Sequence, residues 1–189
     1  MYTLFIDTHY KDVIIVLFKD MVLLDKNIIL NVDNTSVETM PTIIDILEKN
    51  SLKVKDINKI CVCIGPGSFT GTRIGVTIAK TLAYTLNIPI VTLTSIDLIG
   101  MKLDNESYVA VLEKNGAFIA LYNNEIKGDI KYLKLSEYEE FKNGNSVIED
   151  NSIDYDKLIN FINNLKEENA HNVIPLYVKT IEALKWFKN

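Results

Sequence analysis

Histidine and cysteine are scarce in this 189-residue chain, which carries two of each: His9, His171, Cys61 and Cys63. Two histidines so far apart give no His-x-x-x-His metal pair and no visible Ser-His-Asp arrangement, so Ser68 is a poor nucleophile candidate. Cys61 and Cys63 lie two apart in an apolar run and point to one face of a strand. With no further cysteine, reduced core thiols are expected rather than structural zinc. Positive charge is also short. Lys plus Arg number 20 against 25 Asp plus Glu, for a net charge of −5 and a pI near 5.1. No basic cluster forms a nucleic-acid footprint, so any RNA would be held mainly by another component. No apolar run reaches the roughly 20 residues of a membrane span. Met1 to Asp7 lacks the basic start of a leader, so a cytoplasmic protein is expected and the sequons at Asn34 and Asn105 carry no weight.

What is present suits a globular protein: 48% hydrophobic residues, and length enough for one domain or two small ones with a real core. The stretch that organises it runs from Gly65 to Gly75, GPGSFTGTRIG. An apolar run, Ile60 to Ile64, precedes it, and a helical pattern follows to about Leu86, giving strand, glycine turn, helix. Pro66 pushes Gly65 out of the helical region, Gly67 is free to take a positive φ, and Ser68 or Thr70 can cap the helix. Bare N–H groups at such a helix start favour an anion. Asp7, Gly67, Ser68, Thr70 and Arg73 are therefore candidate phosphate or nucleotide contacts. The local chemistry equally suits any strand-to-helix turn, and the stretch is neither a Walker A loop nor the dinucleotide fingerprint.

In the following helix Gly71, Gly75, Ala79 and Ala83 recur every four residues and form one ridge of small side chains. Two glycines inside a helix cost about 1 kcal/mol each against alanine, so something should offset them. The spacing leaves two accounts: the ridge packs on the chain's own sheet, or it meets a helix from another chain. Ile74, Ile78, Leu82 and Leu86 form the neighbouring ridge and look like core.

Taken in order, the first hundred residues predict β-β-β-α-β-α-β-α. The strands are Tyr2 to Asp7, Val13 to Lys19, Met21 to Leu30, Ile60 to Ile64 and Ile88 to Leu93. The helices are Val37 to Asn50, the one after the glycine turn, and a short one capped by Ser95. The second and third strands are too apolar for a half-exposed sheet, so cover on both faces is expected. Three hairpin-linked strands followed by two helix-linked ones make a mixed sheet. The order is that of the α/β actin-like ATPase (ASKHA, ribonuclease H-like) fold, with two subdomains, the second reduced. Residues 1–102 form the first. From 103 the pattern predicts a hairpin (Tyr108 to Leu112, Ala117 to Asn123), a strand at Ile130 to Leu135 and a short helix at Ser136 to Lys142. A loop to Ser152, an amphipathic helix at Tyr155 to Lys166 and a final helix at Ile181 to Phe187 follow. The last helix is expected to pack back on the first subdomain.

These residues resemble the TsaB (YeaZ) family of bacterial threonylcarbamoyladenosine (t6A) synthesis on tRNA. The resemblance rests most on Gly65 to Gly75, with Ile6-Asp7-Thr8, Ser36 and Pro41, and Pro175-x-Tyr177-x-Lys179 for the family's closing Pro-x-Tyr-x-Arg. It implies a non-catalytic subunit that pairs with TsaD, works with the ATPase TsaE and functionally with TsaC, and forms homodimers alone. It implies no cofactor of its own, ATP and metal being expected on the partners. The implied pairing surface carries onto the first-domain helices: Gly71, Gly75, Ala79, Ala83, Ile78, Met40 and Ile44. Thr35 stands where many members have His. Leu112 and Lys114 stand where many have an Asp-x-Arg.

A stand-alone ATP-binding phosphotransferase or hydrolase is the alternative. Against it, the first hairpin, Thr8 to Asp12, has no glycine to cradle phosphate and a bulky Tyr10. Asp7 would hold a magnesium-bound water in an active relative, or cap the turn here.

Overall fold

The computed structural model describes residues 1–179. The expected helix at 181–187 lies outside the described residues. The first sheet contains β1 (Tyr2–Asp7), β2 (Val13–Lys19), β3 (Val22–Ile29), β4 (Lys59–Cys63) and β5 (Ile90–Leu93) in the order β3-β2-β1-β4-β5. β1 runs antiparallel to β2 and parallel to β4, and β4 runs parallel to β5. This is the strand order of the ribonuclease H-like, actin-like fold. Helices α1 (Thr35–Lys49) and α2 (Phe69–Leu86) cover one face, where Leu4, Ile6, Ile15 and Leu17 meet Ile43, Ile46 and Val76.

The other face is closed by α3 (Ser95–Gly100) and α5 (Tyr155–Asn164). Leu158, Ile159 and Ile162 of α5 recur at helical spacing and pack on Phe5, Val16, Phe18, Cys61 and Cys63. The second sheet is β6 (Ser107–Glu113), β7 (Gly116–Tyr122), β8 (Ile126–Lys134) and β9 (Val147–Ile148), in the order β8-β7-β6-β9, with α4 (Leu135–Gly144) against it. It repeats the β-β-β-α-β part of the first half and, among the described residues, has four strands.

Several expectations are corrected. β3 is an edge strand with alternate residues exposed, including Val22, Leu24 and Ile28, because no neighbour follows it in the sheet. Positive φ belongs to Gly65 (90°) rather than Gly67. Thr94, not Ser95, caps α3, in a reciprocal pair with Asp97. The Asn-rich stretch after α4 contains β9, parallel to β6.

Candidate functional site

The C-terminal ends of β1 and β4 bring the first hairpin against the glycine turn. Ser68 N donates to the His9 carbonyl at 2.6 Å. Thr8 Oγ1 donates to the Gly71 carbonyl at 2.7 Å. A Cβ on Gly67 would collide with the His9 carbonyl oxygen, and one on Gly71 with that of Thr8. The glycines thus admit the hairpin backbone itself. Ser68 caps α2 by accepting from Gly71 N at 3.2 Å.

The five candidate anion contacts do not converge, which corrects that expectation. Gly67 is taken up by the hairpin. Ser68 and Thr70 face a polar cavity of about 520 Å³ shared with Tyr10, Lys11, Asn34 and Thr35. Asp7 lines a different cavity, and Arg73 lies on the outer side of α2. Arg73 is not a free surface group, and among the described residues it pairs with no acid. Its guanidinium stacks 3.7 Å from the Phe69 ring and its Nε donates to Tyr177 Oη at 2.7 Å.

Asp7 is buried, and its Oδ1 accepts from the His9 backbone at 2.9 Å and lies 2.7 Å from His9 Nδ1. Burial alone would raise the Asp7 carboxyl. The His9 charge and hydrogen bonds outweigh that, and it ends below its ordinary value. Burial works downward on His9 and the Asp7 carboxylate upward, and the imidazole ends above its ordinary value. Cys63, one residue past the Ile6–Val62 register pair, is pushed well above the usual thiol range by burial and by the charge of Asp7.

The small ridge of α2 turns inward. Gly71, Gly75, Ala79 and Ala83 are all buried, and a Cβ on Gly75 would collide with Thr8 Oγ1. Their assignment to a partner surface is corrected: the ridge lets α2 settle on the chain's own sheet and hairpin. The large ridge, Ile74, Ile78, Leu82 and Leu86, is only half-buried instead of forming the centre of the core. Beside it α1 presents Val37 (57% exposed), half-buried Met40 and Ile44 (41% exposed) at helical spacing. Met40, Ile44 and Ile78, the rest of the expected surface, are thus outward apolar positions of α1 and α2.

The sequence spacing does not place the role of Pro175 to Lys179. Leu176 N donates to the Ile64 carbonyl at 2.8 Å, and Tyr177 meets Arg73. Lys179 pairs with Glu113 and sits 3.8 Å from the Tyr132 ring. The segment straps the glycine-turn end of the first sheet to the second sheet, over an apolar cleft of about 350 Å³. The Pro-x-Tyr-x-Lys pattern marks the residues, but contacts 104 residues apart leave no local signal.

The family model described as "TsaD: tRNA N6-adenosine threonylcarbamoyltransferase" matches residues 31–112. The tRNA threonylcarbamoyladenosine biosynthesis protein TsaB of Bacillus subtilis is 48% identical over 64 residues, 34% of this chain and 28% of that protein. The Escherichia coli protein of the same name is 42% identical over 52 residues, 28% of this chain and 22% of that one. The matched stretches thus span less than a third of these two relatives. The structure of YeaZ from Pseudomonas aeruginosa superposes with a TM-score of 0.73 at 15% identity, covering 93% of this chain and 99% of that one.

Proposed function

Because the chain belongs to the TsaB (YeaZ) family, we propose that it is a non-catalytic subunit of t6A synthesis that binds and activates a TsaD-type partner. The observation that carries this is the closed gap between hairpin and glycine turn. The Ser68 N–H that would meet a phosphate is donated to His9, and the glycines are filled by the chain's own backbone. The fold is kept while its phosphate position is used for packing. The two histidines lie 162 positions apart in sequence, which gives no His-x-x-x-His pair of the kind implied for the catalytic relative.

The partner docks on the apolar stripe of α1 and α2, through Val37, Met40, Ile44 and Ile78. Exposed apolar side chains grouped on one face are what an association surface needs. In the absence of the partner the same stripe serves a homodimer. TsaE acts on the pair, TsaC supplies the threonylcarbamoyl-adenylate, and ATP and the transfer metal reside on those proteins.

The test is reconstitution with TsaD, TsaE, TsaC, tRNA, threonine, bicarbonate and ATP, with and without this chain. Modification is expected only when the chain is present. Ile44→Asp is expected to abolish co-purification with TsaD while leaving circular dichroism unchanged. ATP hydrolysis by the isolated chain, or modification that proceeds without it, overturns the proposal.

A further inference from the structure

Asp7 Oδ2 is a buried carboxylate oxygen with no hydrogen-bond partner among the described residues. The other such atoms are hydroxyls, on Thr3, Thr72 and Tyr122. The Cys63 thiol beside this carboxyl is only a weak donor, and a charged oxygen without a stronger partner is costly in the interior. Ligand atoms of Asp7, His9 and Cys63 all lie within 4.8 Å of one another, and all three residues are buried.

The three come from places the fold holds firmly. Asp7 ends β1 and Cys63 ends the adjacent parallel β4. His9 follows in the hairpin, whose backbone N–H fixes the Asp7 carboxylate through Oδ1. Beside them is a cavity of about 100 Å³, lined by Asp7, His9, Tyr10, Asp12, Ser95 and Asn151 among others. That is room for about three waters at roughly 30 Å³ each.

We propose that Asp7, His9 and Cys63 bind a thiophilic divalent cation of the zinc type, with one coordination position facing this cavity. One sulfur, one imidazole nitrogen and one carboxylate oxygen suit Zn²⁺ or Co²⁺, whereas Mg²⁺ and Ca²⁺ take oxygen ligands. Ligands about 2.0–2.3 Å from a tetrahedral centre stand about 3.3–3.8 Å apart. The 2.7 Å contact of Asp7 with His9 must therefore open by about half an ångström as the sulfur closes in. Side-chain rotation supplies both. The incoming cation displaces the thiol proton of Cys63 and takes a lone pair of the neutral imidazole of His9. The donor set is one the sequence spacing argues against, because His9 and Cys63 meet only through the pairing of β1 with β4. The site stands independently of the proposed partner.

The test is Co²⁺ titration of the full chain after treatment with a chelator. The expected result is a 1:1 complex with tetrahedral visible bands and a near-ultraviolet sulfur-to-cobalt charge-transfer band, both removed by Zn²⁺. The chain has two cysteines. Retention of the band in Cys61→Ala therefore assigns the sulfur to Cys63 without a variant of Cys63 itself. His9→Gln is expected to weaken binding at least tenfold. A wild-type chain with no charge-transfer band overturns the proposal and leaves a hydrogen-bonded core cluster. A band that disappears in folded Cys61→Ala, or binding unchanged in His9→Gln, overturns it too.

Discussion

A methyl group at position 75 would strike the Thr8 hydroxyl, which already donates to the Gly71 carbonyl at 2.7 Å. Gly75→Ala must therefore displace the hairpin or tilt α2, and overpacking of this kind costs about 1–3 kcal/mol. The expected outcome is a lower urea midpoint at unchanged slope, with Gly75→Leu failing to give a stable monomer. A Gly75→Ala protein as stable as the wild type would mean that hairpin and helix are not locked together. The four-residue spacing of the small ridge is legible in the sequence. Its neighbour is not, since a row without bulky side chains suits an internal sheet as well as a foreign helix. The same holds at the turn. The sequence marks Gly65 and Gly67 as special, but only coordinates separate their reasons: a positive φ at one, an approaching carbonyl at the other.

Among the elements, the strap at 175–179 depends on few groups. Arg73→Ala removes both the stacking on Phe69 and the hydrogen bond to Tyr177. Loss of about 1.4 kcal/mol of local stability corresponds to roughly tenfold faster exchange of a protected amide. The Leu176 amide, which donates to Ile64, is the reporter; it is expected to exchange at least tenfold faster in Arg73→Ala, and Tyr177→Phe should give a smaller effect. Exchange unchanged in both variants would show that the strap is held elsewhere. A second device joins α4 to the strand end after β9. Lys142 and the Tyr138 hydroxyl both donate to Glu149, and these bonds hold its carboxyl below the ordinary 4.5 against the opposing effect of burial. A depressed carboxyl contributes stability above its unfolded value, and the contribution fades as pH falls through the folded one. Glu149→Gln is thus expected to melt below the wild type near neutral pH, with the gap closing once the pH drops under about 4.5. A gap independent of pH would assign the effect to packing. The loop expected here hides β9 because two residues among Asn and Ser carry almost no periodic signal.

On the scale of the whole molecule, the second half repeats the β-β-β-α-β-α order of the first but sends α5, its last described helix, elsewhere. α5 is amphipathic in sequence, and that much is legible. Its target is not, because either sheet offers an apolar face. In the structure it returns to the first sheet, where Leu158, Ile159 and Ile162 bury Phe5, Val16, Phe18 and Leu98. Glu168 then bridges to Ile90 at the β5 edge, and Val173 joins the core on the opposite face. Residue 102 falls between the two sheets along the chain, yet α5, well beyond it, completes the core of the first. Residues 1–102 alone would leave one face of the first sheet without most of its cover. Truncating a single buried Leu such as Leu158 to Ala costs about 2–5 kcal/mol, and removing the whole helix exceeds the total stability of most domains. A fragment of residues 1–102 is therefore expected to bind a hydrophobic dye and to melt without a cooperative transition, while the full chain melts sharply. A fragment that unfolds cooperatively would show that α5 is an accessory of the first sheet and not part of its core.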